Sequence, residues 1–275
     1  MAYTTLMVQL EAGRANTAVL QATGELAERF RAHVVGVAVC RPMQMVYGEA
    51  YVSGELIEQE KKQMQAEVDA AEAEFRNALQ ARATGLEWRS MVMFAPMADF
   101  VVHEARSVDL LITARGTKDS LDPSRGVHVG DLIMQSGRPI FVVPPVLEDN
   151  TLDRVVVGWT DSREARRAVV DAMPLLQKAA HVVVAEMVVD AEFANAHKRL
   201  NDVVAWLQRH GVAAQPLVVL STGDDAKGLD AIAEEQGAGV IVAGAYGHSR
   251  LREWALGGVT RKLLQHADRY LLVSH

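Results

Sequence analysis

The stretch with the most chemical content is GAYGHSRLREWALGGVTRKLL, Gly244 to Leu264. It follows an apolar run, GVIVA, and ends in a pattern with helical spacing. Glycines stand at 244, 247, 257 and 258. Each one costs the folded state backbone entropy. Either the turns demand them, or a ligand must come close to the backbone. A helix is expected to begin near Gly258, with Val259, Leu263 and Leu264 on its inner side. A helix N-terminus presents free backbone N–H groups and positive partial charge, and glycine there lets a phosphate approach the amides. Arg250 and Arg252 add positive charge, and Thr260 adds a hydroxyl. The pattern fits a polyphosphate cradle and equally fits tight turns between a strand and a helix. His248 lies in the same loop, as a phosphate contact or as an ordinary surface histidine.

The elements that would position this loop recur twice. AHVVGVAV begins at Ala32 and AHVVVAEMV at Ala180. TLMVQLE, from Thr5, matches RVVVGWT, from Arg154. An offset near 149 between these early segments falls to 131 late in each half, where Arg138-Pro-Ile-Phe-Val aligns with Arg269-Tyr-Leu-Leu-Val and Gly126 with Gly257. The first half therefore carries an insertion, placed at Arg41–Glu60. The join lies at VPPVLEDNTLDR, giving domains 1–146 and 152–275.

In the second half, strands are expected near 154–159, 181–187, 215–220, 239–243 and 270–274. Their near-continuous aliphatic runs suit strands buried on both faces of a parallel sheet. Helical spacing joins Leu200, Val203, Val204 and Leu207, with Gly211 as a left-handed stop. In the first half it joins Val68, Ala71, Phe75 and Leu79, with Gly85 as the stop. Strands alternating with helices mean two tandem doubly wound α/β domains. Ligands of such sheets bind beyond the carboxyl ends of the strands, where strand order reverses.

The spacing Gly244-x2-Gly247-x9-Gly257, after VIVAGAYGHS and before VTRKLL, resembles the ATP-binding signature of the universal stress protein family. VDLLITARG and VGWTDSREARRAVVDAMPLL are similar to that family too. The resemblance runs through both halves and identifies a tandem member. It implies five-stranded parallel sheets of order 3-2-1-4-5, with helices on both faces. It also implies an intrachain pseudo-dimer in which RPIFVV and RYLLVS meet along a pseudo-two-fold axis.

By the same resemblance, Gly244, Gly247 and Gly257 would follow the ribose and triphosphate of ATP, with Mg²⁺ resting on the phosphates. Gly258 stands where the family's binders have Ser or Thr, so one hydroxyl donor is replaced by a bare amide. Val259 and Thr260 match the amides and hydroxyl just inside the helix, with His248 and Arg250 beside the phosphates. Trp159, Thr160 and Asp161 end the first strand, and Thr160 stands where the binders carry an Asp. Glu186 and Met187 would line the base pocket. In the first half the matching positions are Thr113, Gly116 and Gly126, and Asp119, Asp122 and Asp131 would repel a triphosphate. That half reads as a structural partner or as a site for another ligand.

The resemblance implies a cytoplasmic stress-response regulatory or binding module, with at most slow ATP hydrolysis. No general base or metal-ligand set accompanies the glycines. The alternative is a dimerisation scaffold, or one that senses a small apolar ligand under Met43, Met45 and Tyr47 of the insertion. A nucleotidyl transferase is disfavoured, because no Ser-Gly-Gly-x-Asp-Ser loop follows the first strand.

Composition narrows the partners. The chain has 275 residues, 49% hydrophobic and 23% charged, with net charge −7. Residues 1–150 hold 14 Lys/Arg against 20 Asp/Glu, and residues 151–275 hold 14 against 15. Neither half has the basic excess that nucleic acid requires. No apolar run reaches the roughly 18 residues of a membrane span, and the start lacks a secretory pattern. A further homodimer and a regulatory protein partner stay open. The single Cys40 ends a strand and reads as packed. His33 and His181 hold equivalent repeat positions and read as structural. Asp161 or Ser162 is expected to cap the next helix, with Glu164 in its first turn.

Overall fold

The computed structural model describes residues 2–42, 54–93, 95–116, 126–146, 151–245, 258–266 and 268–275. By their internal contacts these form two units, Tyr3–Arg138 and Pro139–His275 with residues 1–2.

In the first unit, β1 (Thr5–Leu10), β2 (His33–Cys40), β3 (Gly85–Val92) and β4 (Leu110–Ala114) alternate with α1 (Thr17–Phe30), α2 (Gly54–Leu79), α3 (Met97–Glu104) and α4 (Val129–Gln135). The strands are parallel, in the order β3-β2-β1-β4. Val68, Ala71, Phe75 and Leu79 all bury themselves from α2, as their spacing predicts. Gly85 is not that helix's stop. The helix ends at Leu79, and Gly85 opens β3 beside His33. A Cβ on Gly85 would lie 2.6 Å from His33 Nδ1, so this glycine serves cross-strand packing. The described end of the insertion, from Gly54, forms the first turns of α2. Met43, Met45 and Tyr47 lie outside the described residues. Cys40 is fully buried with Ala12, Met64 and Val68.

The second unit contains β5 (Ile140–Val143), β6 (Arg154–Gly158), β7 (His181–Val188), β8 (Ala214–Leu220), β9 (Val240–Gly244) and β10 (Tyr270–Ser274). Its helices are α5 (Arg163–Lys178), α6 (Phe193–Arg209), α7 (Asp225–Glu235) and α8 (Gly258–His266). Strand order is β5-β10-β9-β6-β7-β8. Counting from β6, that is third-second-first-fourth-fifth, all parallel. The sixth strand, β5, runs antiparallel to β10, with Phe141 opposite Leu272. This is the expected pairing of RPIFVV with RYLLVS. The division between units falls ahead of Pro144-Pro145, at Pro139.

The strands of this unit begin and end within a residue or so of the ranges expected from the aliphatic runs. Gly211 has φ +79° after α6, and Val212 N–H bonds back to Leu207 O, which closes the helix as expected. No described helix is long and apolar enough to cross a membrane.

Candidate functional site at the carboxyl ends of β6 and β9

Order reverses between β6 and β9, so the switch point of the second unit lies between their carboxyl ends. Gly244 is the last residue of β9. A Cβ there would lie 2.6 Å from Ala165 N and from the carbonyl carbon of Glu164. These are backbone atoms of the first turn of α5, so they cannot swing aside. Gly244 is therefore a glycine because a helix packs on it. Gly247, His248, Arg250 and Gly257, and Arg252 with them, lie outside the described residues.

Gly258 differs from Gly244. It is the first residue of α8, and among the described residues no atom lies within 4 Å of the place its Cβ would take. Neither a left-handed turn nor packing against the described residues demands glycine there. No acidic residue occupies the first turn of α8, whereas Arg261 and Lys262 follow close behind. Cations at this end oppose the helix dipole and leave its positive pole unneutralised. Lys262 Nζ is held 2.9 Å from Asp224 Oδ2, at the start of α7. Thr260 is buried and its hydroxyl donates to Gly244 O at 3.3 Å, which pins the first turn of α8 to the end of β9. The expectation that Val259 faces inward is corrected: it is 37% exposed, and Thr260 and Leu263 form the inner face. Thr260 and Leu263, three residues apart, share one face of the helix.

At the end of β6, Thr160 is exposed, with its hydroxyl 3.2 Å from Ser162 Oγ. Ser162 caps α5 by accepting the Ala165 N–H, and Glu164 lies in the first turn, as expected. Asp161 is drawn away to Arg166, at 2.6 Å. Asp161 therefore does not present its carboxylate in place of Thr160. Met187 reaches α7, where its Sδ would lie 2.7 Å from a Cβ on Gly228. Gly158 faces α7 too, against Leu229. Trp159 and Glu186 are on the opposite side of the sheet. Glu186 accepts from Arg199 of α6 at 2.9 and 2.7 Å. Trp159 is 7% exposed, and its N–H donates to Ala185 O. The structure thus brings Gly244, Gly258 and Thr260 together, and places Trp159 and Met187 on different faces.

The first unit is built differently at its switch point. Gln9 and Thr113 are adjacent in register, where the second unit has Gly158 and Ala243. The match of Thr113 to Gly244 is thus corrected by one residue; Ala114 takes that place. Thr113 Oγ1 donates to Gln9 Oε1 at 2.8 Å, and both residues are 2% exposed or less. Sequence reasoning missed this pair, although a glutamine inside an aliphatic strand was its visible signal. Asp131 lies in the first turn of α4, where its charge already meets the helix dipole. Asp119 and Asp122 lie outside the described residues. A groove of about 440 Å³ runs between the turn Gly13–Ala15 and the α2 face of Ala66, Ala70 and Glu74.

Residues 151–275 match the Universal stress protein family. This half of the chain belongs to the universal stress protein family. Over the whole length, the chain is similar to a universal stress protein from Archaeoglobus fulgidus, with TM-score 0.75 and 14% identity, covering 98% of this chain and 97% of that one. It is also similar to a functionally unknown protein from Pseudomonas aeruginosa, with TM-score 0.64 and 12% identity, covering 99% and 92%. At such identities these likenesses establish the two-unit fold. No curated protein matches the chain. The universal stress protein half is also the half whose loop carries the glycine spacing described above.

Proposed function

We propose that the C-terminal half binds ATP or a related adenine nucleotide, and that the chain is a cytoplasmic regulatory module rather than an efficient catalyst. The observation that carries this reading is the start of α8. Gly258 opens a helix with no acidic residue in its first turn, and no described atom lies within 4 Å of the place a Cβ would take. Such a terminus favours a phosphate through its free amides and its dipole. The base and ribose would lie toward Thr160 and Met187, and the phosphates along Gly244–Gly258, with Mg²⁺ held mainly by phosphate oxygens. Turnover would be slow, because the described carboxylates nearest these elements are already paired, Asp161 with Arg166 and Asp224 with Lys262.

The second reading, a scaffold without nucleotide, is favoured by Thr160 in place of a carboxylate. The alanine-lined groove of the first unit would suit a small apolar ligand.

The test is a Gly258→Asp variant. A Cβ meets no described atom there, and an acidic first turn suits the helix. The variant is therefore expected to melt no lower than the parent. ATP with Mg²⁺ should raise the melting temperature of the parent and leave the variant unmoved. Equal shifts in both would remove α8 from the site.

A further inference from the structure

We propose that the carboxyl ends of β6 and β7 carry a closed polar site, on the α6 side of the sheet, that holds one small hydroxylic molecule between Trp159 and Glu186. Trp159 Nε1 and Glu186 Oε2 are both buried, and among the described residues neither has a hydrogen-bond partner. Register makes the two residues neighbours. Gly158 pairs with Ala185, and Trp159 N–H continues the ladder to Ala185 O at 2.8 Å. Trp159 therefore stands beside Glu186 on the next rung. Alternation puts them on one face. Gly158 and Met187 meet α7, so their chain neighbours Trp159 and Glu186 turn the other way, and Glu186 indeed reaches Arg199 of α6.

The chemistry of the pair selects the occupant. An indole N–H only donates and a carboxylate only accepts. They are complementary, yet no direct bond joins them. Left alone, each bears the desolvation cost of an unmade hydrogen bond. A hydroxyl accepts from Nε1 and donates to Oε2 at once, and so satisfies both. An ammonium cannot accept from the indole, a carboxylate ion has no proton for Glu186, and a phosphate anion would set like charge against the Glu186 carboxylate. The occupant is thus water or the hydroxyl of a small alcohol or sugar. This site does not rest on nucleotide binding, since Met187 and Gly228 lie across the sheet.

The experiment is a high-resolution crystal structure of the full chain beside one of Trp159→Phe. The expected result is a density peak within hydrogen-bond reach of both Nε1 and Oε2, lost in Trp159→Phe. A round peak that survives unfolding and refolding in alcohol-free buffer identifies water. Density continuous with further atoms, lost on refolding, identifies a captured hydroxylic ligand. The proposal is overturned by no peak, by a direct Nε1 to Oε2 bond, or by a peak unchanged in Trp159→Phe. If that variant fails to fold, the parent structure alone decides, by the peak or its absence.

Discussion

Gly244 and Gly258 are the same residue type in the same motif for different reasons. At Gly244 the backbone of α5 leaves no room for a methyl group; at Gly258 no described residue stands in its way. Gly244→Ala should therefore destabilise the chain by about 1–3 kcal/mol, the usual cost of overpacking, as read from urea denaturation without nucleotide. An alanine tolerated there would mean α5 can shift. The glycine spacing was plain in the sequence. What it could not reveal was that Gly244 is held by a helix some eighty positions earlier in the chain, so that one glycine answers to packing. Gln9 and Thr113 carry the same lesson. Each is unremarkable alone, and only adjacent register turns them into a buried hydrogen-bonded pair.

Elements were easier to read than contacts between them. Aliphatic runs marked β6 to β10 because strands covered on both faces need them. The placement of Gly85 failed because a glycine before a strand and one after a helix look alike in sequence. The tie between α7 and α8 was not legible either, since Lys262 and Asp224 meet only in the fold. The Lys262 ammonium, hydrogen-bonded to Asp224, holds that carboxyl below its ordinary value of 3.8. A lowered folded pKa means that the native state binds the proton less readily than the unfolded one. The stabilisation is present above the unfolded value and fades as pH falls through the lowered one. Asn caps a helix as well as Asp does, so Asp224→Asn isolates the charge. Its melting temperature should lie slightly below the parent's at neutral pH, and the gap should close as pH falls from about 3.8 through the lowered value. A gap that persists in acid would assign the effect to something other than this ion pair.

At the scale of the molecule, the fifth strand of the first repeat serves the second unit. Phe141 of β5 and Tyr270 of β10 are fully buried, with ring centroids 5.0 Å apart. Phe141→Ala should cost about 3–5 kcal/mol, as for other buried aromatic truncations, measured as a lower urea midpoint for the transition of the C-terminal unit. An unchanged midpoint would mean that β5 adds nothing to it. The repeat also frames the functional claim. One half keeps an open helix terminus at its switch point, and the other has Gln9 and Thr113 bonded across its own, with Asp131 at the helix start. The most direct test is titration calorimetry of the whole chain with ATP and Mg²⁺. The account predicts saturable binding of one nucleotide per chain. No heat at millimolar ATP, or two equivalent sites per chain, would contradict it.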